Sequence, residues 1–135
     1  MKRREFILKS CYTGLALTGA SFLFTECKSA AIKETENEIN IPQSLMKKKN
    51  NLLVGSSHLN EKVLLVRQKD GAFHALLMKC THKGSSLQQK DKELVCPSHG
   101  SSFDMDGNVA KSPAKQALKK FPVTIEGTNI IIHLV

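Results

Sequence analysis

The stretch from Cys80 to Gly100, CTHKGSSLQQKDKELVCPSHG, holds two short segments of the same kind. Cys80-Thr81-His82-Lys83-Gly84 offers one thiol and one imidazole ahead of a glycine, and Cys96-Pro97-Ser98-His99-Gly100 offers the same set. Written as spacing, this is C-x-H, thirteen residues, then C-x-x-H. Glycine permits positive φ and close backbone approach, which a tight ligand loop needs. The other two of the four cysteines, Cys11 and Cys27, lie in a leader-like segment, so Cys80 and Cys96 are the domain's own.

Three arrangements compete for these residues. A Cys80–Cys96 disulfide suits an exported protein, but it leaves both histidines and both glycines to chance. A structural zinc site accepts two thiolates and two imidazoles, yet its usual spacing keeps like ligands together, C-x2–4-C then H-x3–5-H. Here each segment carries one of each. A [2Fe–2S] centre in which two histidines replace two cysteines on one iron has two ends, and each loop must reach both. One Cys and one His per loop achieves that, so this reading uses Cys80, His82, Cys96 and His99 together, with one cluster per chain.

Outward from this stretch the chain is a series of short Leu-, Ile- and Val-rich runs: 52–54, 63–67, 72–78, 93–95, 102–104, 121–125 and 129–134. Turn residues separate them, Lys69-Asp70-Gly71, Asp106-Gly107 and Glu126-Gly127-Thr128 among them. Short strands with frequent turns predict an all-β fold, a sandwich or small barrel. Only residues 114–120 carry a weak helical period. Residues 33–40, KETENEIN, are polar and read as a linker, so the expected organisation is a leader over 1–31, a linker over 32–40 and the domain over 41–135. His58, His74 and His133 have no ligand-like neighbours and read as ordinary strand or surface histidines.

The 135-residue chain has 20 Lys plus Arg against 12 Asp plus Glu, a formal charge of +8. Setting aside the five basic and two acidic residues before Ile32 leaves 15 against 10, or +5. A domain of about 100 residues leans on a metal or disulfides more often than a large one, and this length excludes a two-domain nucleotide-dependent enzyme. Without basic–aromatic interleaving there is no case for nucleic acid. The start has a basic Lys2-Arg3-Arg4, an apolar run from Cys11 to Phe24 and a polar end, the order of an export signal. The apolar run is shorter than the roughly 20 residues of a spanning helix. Arg3-Arg4-Glu5-Phe6-Ile7 resembles the twin-arginine signal, with Lys9 one place late, and this implies export across the bacterial inner membrane in the folded, cofactor-loaded state. Three fates of the leader fit: cleavage after Ala31, lipidation at Cys27, or retention as an anchor.

The two ligand segments resemble the Rieske iron–sulfur family, and the likeness extends through Cys96–Asp104, Ser112-Pro113-Ala114 and Phe121-Pro122-Val123. It implies a fold of small antiparallel sheets with the cluster between two loops at one tip. Cys80 and Cys96 would bind the inner iron, and His82 and His99 the outer one. Rieske subunits of cytochrome bc complexes usually carry a disulfide between the two loops; Ser85 and Ser98 stand here instead. Their Ser and Tyr hydrogen bonds to the cluster region are matched at Ser101 and lost at Phe103, which lowers the expected potential. The resemblance implies outer-sphere transfer of one electron, coupled to protons on His82 and His99 at higher pH. With Val135 directly after the last expected strand, the expectation is not an oxygenase large subunit, for which the resemblance would imply a further catalytic-iron domain. The expectation is an exported, membrane-associated electron carrier on the periplasmic side of the inner membrane. Its redox partner would be a cytochrome, a reductase or a quinol-oxidising complex. The alternative is the Rieske subunit of a cytochrome bc-type complex, a non-catalytic part of an oxidoreductase.

Overall fold

The computed structural model describes residues 30–135. The strands are β1 (Lys33–Glu34), β2 (Glu38–Pro42), β3 (Asn51–Val54), β4 (Val63–Arg67), β5 (Phe73–Leu77), β6 (Gln88–Lys90), β7 (Glu93–Val95), β8 (Ser102–Asp104), β9 (Val109–Lys111), β10 (Lys120–Phe121), β11 (Val123–Glu126) and β12 (Asn129–His133). A single 3-10 turn covers Gln43–Met46. The strands form three four-stranded sheets, ordered β1-β2-β12-β11, β10-β5-β4-β3 and β6-β7-β8-β9, with every pairing antiparallel.

The β3/β4/β5/β10 sheet lies in the middle, and the run Val63-Leu64-Leu65-Val66 shows why. All four are buried, and since successive strand side chains point to opposite faces, one strand serves two cores. Val63 and Leu65 join Ile39, Ile41, Ile130 and Ile132 of the first sheet. Leu64 and Val66 join Leu94 and Phe103 of the third, together with Cys80 and Cys96. The cysteines are therefore part of a hydrophobic core and not of a surface loop alone.

Several expectations need correction. Residues 33–40 are not a linker: β1 and the first half of β2 lie there, and β2 pairs along its length with β12. Ile39 and Ile41 alternate with polar residues, which is the period of a half-buried strand. Residues 114–120 are not helical but form an extended loop running into β10. The single run over 121–125 is two strands in different sheets, because Pro122 lacks an N–H for a ladder and the chain changes sheet there. The expected leader falls outside the described residues except for its last two positions.

Glu34 ties the N-terminal strand to the loop after β3. Its carboxylate accepts from Ser56 Oγ, from the Ser57 N–H at 3.0 Å and from Ser57 Oγ at 2.8 Å. The Ser56 hydroxyl and then the Ser57 N–H bring its pKa down to about 2. A carboxyl depressed in the folded state adds stability above its unfolded value, and that share is lost as pH falls toward the folded one. Glu34→Gln is thus expected to loosen β1 at pH 7, seen as faster amide exchange at Thr35 and Ser57. The thermal stabilities of variant and parent should converge between about pH 4.5 and pH 2.

Candidate metal centre

The two ligand segments fold into loops closed in the same way. In the first, the Gly84 N–H donates to the Cys80 carbonyl at 2.8 Å and the Cys80 N–H to the Ser85 carbonyl at 2.8 Å. In the second, Gly100 donates to Cys96 at 3.0 Å and Cys96 to Ser101 at 2.8 Å. Gly84 and Gly100 sit at φ of 76° and 78°, the left-handed region that any Cβ would strain. Both loops stand at the same end of the third sheet, the first leading from β5 of the middle sheet into β6 and the second following β7 directly.

Cys80 and Cys96 are buried with free thiols, so the disulfide arrangement is not the one adopted. Burial works to raise the Cys96 thiol, but the N–H groups of Ser98 and His99, with hydrogen bonds from Cys80 and Ser98, outweigh it and hold the pKa below its ordinary value. That favours thiolate, the form that binds metal. The rings of His82 and His99 meet edge to face with centroids 4.9 Å apart; His82 is half-buried and His99 exposed. His82 Nδ1 is buried with no hydrogen-bond partner, an orphaned ring nitrogen of the kind a metal would satisfy. Among the described residues no three His, Cys, Asp or Glu side chains converge as one ion requires. The donors come instead as a thiol pair and an imidazole pair. That division fits a two-iron group with unlike ends and not a tetrahedral zinc.

A third segment braces the loops. Ser101, wholly buried, accepts from the Ala114 N–H at 3.0 Å through Oγ, which leaves its own hydroxyl proton available. Thr81 Oγ1 donates to the Gln116 carbonyl at 2.6 Å, and the Leu118 N–H to the Gly107 carbonyl at 2.8 Å. Ser98 Oγ donates to Ser85 Oγ at 2.8 Å, a direct link between the ligand loops at the two positions where the resemblance places a disulfide. Phe103 is fully buried beside both cysteines and offers no hydroxyl. The contacts of Thr81 and Ser98 were not legible in the sequence, because small polar residues after a cysteine carry no pattern that names their partners. The remaining histidines lie elsewhere. His74 Nε2 bonds the Met105 carbonyl at 2.8 Å, His133 pairs with Glu38 at 3.1 Å, and His58 is exposed.

A Rieske [2Fe-2S] domain model matches residues 40–122. The chain belongs to the Rieske [2Fe-2S] domain family. Members carry one [2Fe–2S] cluster per chain, and the paired thiols, paired imidazoles and orphaned Nδ1 are a donor set that fits it. The Rieske domain is similar to the cytochrome b6-f complex iron-sulfur subunit of Chlorobaculum thiosulfatiphilum, 35% identical over 75 residues, covering 54% of this chain and 41% of that protein. It is also similar to the ferredoxin component of the alkene monooxygenase system of Xanthobacter autotrophicus, 35% identical over 74 residues, covering 52% and 60%. Among solved structures, the plasma membrane Rieske protein PetC3 of Synechocystis PCC 6803 matches with a TM-score of 0.57 and 29% identity over 67% of this chain and 93% of that one. The match thus spans less than two thirds of either curated relative.

Proposed function

We propose that the chain is a one-electron carrier whose [2Fe–2S] cluster is held by Cys80 and Cys96 at the buried end and by His82 and His99 at the exposed end. The observation that carries this is the division of donors across two identically closed loops, with the imidazoles outermost. When bound, the cluster supplies reversible one-electron redox chemistry. The protein's own part is to bury the thiolates among Leu94, Phe103 and Met78, which keeps water from the inner end. It also clamps both loops through Ser85–Ser98, Thr81–Gln116 and Ser101–Ala114, and leaves His99 at the surface as the point of electron exit. Export through the Arg3-Arg4 leader, with residence at the periplasmic face of the inner membrane, is part of the same proposal and rests on the sequence alone. Among the described residues no helix is long and apolar enough to cross a membrane.

An EPR-monitored redox titration tests the reading. A Rieske-type reduced signal with a negative midpoint is expected for a low-potential carrier. A clearly positive midpoint would favour the second reading, a quinol-linked subunit, which the likeness to the b6-f subunit supports. No signal from a folded, iron-loaded sample would end both. Phe103→Tyr restores a hydroxyl beside the buried cysteines, and the new hydrogen bond stabilises the reduced, more negative state. A bond of about 1–2 kcal/mol converts to a rise of several tens of millivolts, since about 59 mV is tenfold for one electron. An unchanged midpoint would remove the missing hydroxyl from the account.

A further inference from the structure

Acidic residues, though not basic ones, are sorted along the length of the β6/β7/β8/β9 sheet; at the β6–β7 turn the exposed Lys90 and Lys92 offset Asp91 and Glu93. Both ligand loops and the segment after β9 stand at one end, and the β6–β7 and β8–β9 turns close the other. Between Lys79 and Lys120 every acidic residue is at the far end: Asp91 and Glu93 around the first turn, Asp104 and Asp106 around the second. The loop end carries Lys79, Lys83, Lys111 and Lys115, all exposed. None of them makes an ion pair; among the described residues the salt bridge found joins His133 to Glu38. Glu61 touches this end only at its flank, accepting from Ser86 Oγ at 2.6 Å. Lys79 is laid over the first loop because Gly84 has no side chain, where a Cβ would stand 3.1 Å from Lys79 Cε. Next to His99 in the second loop the chain is small and neutral, with Pro97 and Ser98 exposed.

We propose that this tip is a docking surface for an acidic redox protein, one that presents carboxylates around its own electron entry point. The inference rests on the reading of the tip as the site of electron exchange. A neutral centre inside a charged rim is the usual anatomy of a protein interface, in which rim charges set encounter rate and orientation. Four lysines without an acid among them at the loop end, against a far end where Lys90 and Lys92 leave only Asp104 and Asp106 unbalanced, make the imidazole end the more positive one and turn it toward a negative partner. One electron passes from the reduced cluster to the partner's centre, the first oxidised and the second reduced by one, with no bond made or broken. A lipid surface would offer charge but no acceptor at His99.

The test compares two double variants of the full chain with equal change in charge: Lys83→Glu/Lys115→Glu at the tip and Lys90→Glu/Lys92→Glu at the far turn. Dithionite-reduced protein is mixed with ferricyanide, an anionic oxidant, in a stopped-flow instrument at about 10 mM and about 1 M ionic strength. The tip variant is expected to be slowed about tenfold at low ionic strength and to match the parent at high, while the far-turn variant stays within about twofold throughout. With the cationic tris(phenanthroline)cobalt(III) the tip variant should instead be the faster. Equal slowing of both variants would mean that only net charge acts, and no slowing of either would mean that the tip is not a docking surface; both overturn the proposal. Co-sedimentation of the parent with phosphatidylserine vesicles that is lost in the tip variant would make lipid the occupant and overturn it too. If the reduced parent passes no electron to either oxidant, the electron-transfer reading itself has failed.

Discussion

Cys96→Ser protein is expected to purify without its cluster, with iron falling from about two per chain to a small residue and the reduced EPR signal lost. Cys96 has no freedom to be replaced by a neighbour: it is 1% exposed, and the N–H groups of Ser98 and His99 favour its thiolate. A serine hydroxyl in the same place stays protonated and offers a poor, hard ligand to a group that selects soft thiolate. Cys80→Ser should behave alike. Because cluster binding is coupled to folding in small metal-dependent domains, His99→Ala provides the separating case. Its side chain is exposed, so the sheets should survive by circular dichroism while the signal of the intact cluster disappears. A Cys96→Ser protein that retained a full, unchanged cluster would sink the ligand assignment.

Phe103→Ala is expected to be the most damaging substitution away from the ligands. The ring is wholly buried in the second core, where it packs with Leu64, Leu76, Leu94 and both cysteines, and it stands opposite Leu94 across β7 and β8. Truncating a buried Phe removes its transfer energy and leaves a cavity, a loss of about 3–5 kcal/mol. Set against a total stability of about 5–15 kcal/mol, that is a large share. Urea unfolding of the cluster-loaded protein should show a much lower midpoint with little change in slope. A midpoint within experimental error of the parent would mean that this core does not hold the third sheet. The same position thus separates two properties: Phe103→Tyr tests potential, and Phe103→Ala tests packing.

The elements most legible in the sequence are those with apolar side chains on a buried sheet. β4 spans the same residues as its expected run, as do β7 and β8, because Val63–Val66, Leu94 and Phe103 carry the burial signal themselves. β6 and β1 were missed for the opposite reason. Gln88-Gln89-Lys90 is exposed throughout and Lys33-Glu34 nearly so, and strands at a sheet edge are held by backbone hydrogen bonds that no side-chain period reports. β2 carried its signal in Ile39 and Ile41, but KETENEIN hid it under polar composition. At the candidate site the two Cys–His segments proposed as donors were readable from type and spacing, and the structure brings their loops to one tip. The braces were not readable. That Ser98 reaches Ser85, or Thr81 the Gln116 carbonyl, depends on how three loops meet, which no local stretch encodes.

The β6–β7 hairpin joins the two ligand loops and points away from them, with its turn at Asp91 and Lys92. The thirteen residues between His82 and Cys96 are therefore not a ruler for the metal. Chain length can be added at that turn and absorbed as a longer hairpin while both loops stay where they are. An insertion there leaves the Gln88–Val95, Gln89–Leu94 and Lys90–Glu93 pairs in place, so the register that keeps Leu94 in the core is kept. Homologous chains should accordingly tolerate wide variation in this spacing, and a peptide tag placed between Asp91 and Lys92 should leave the cofactor undisturbed.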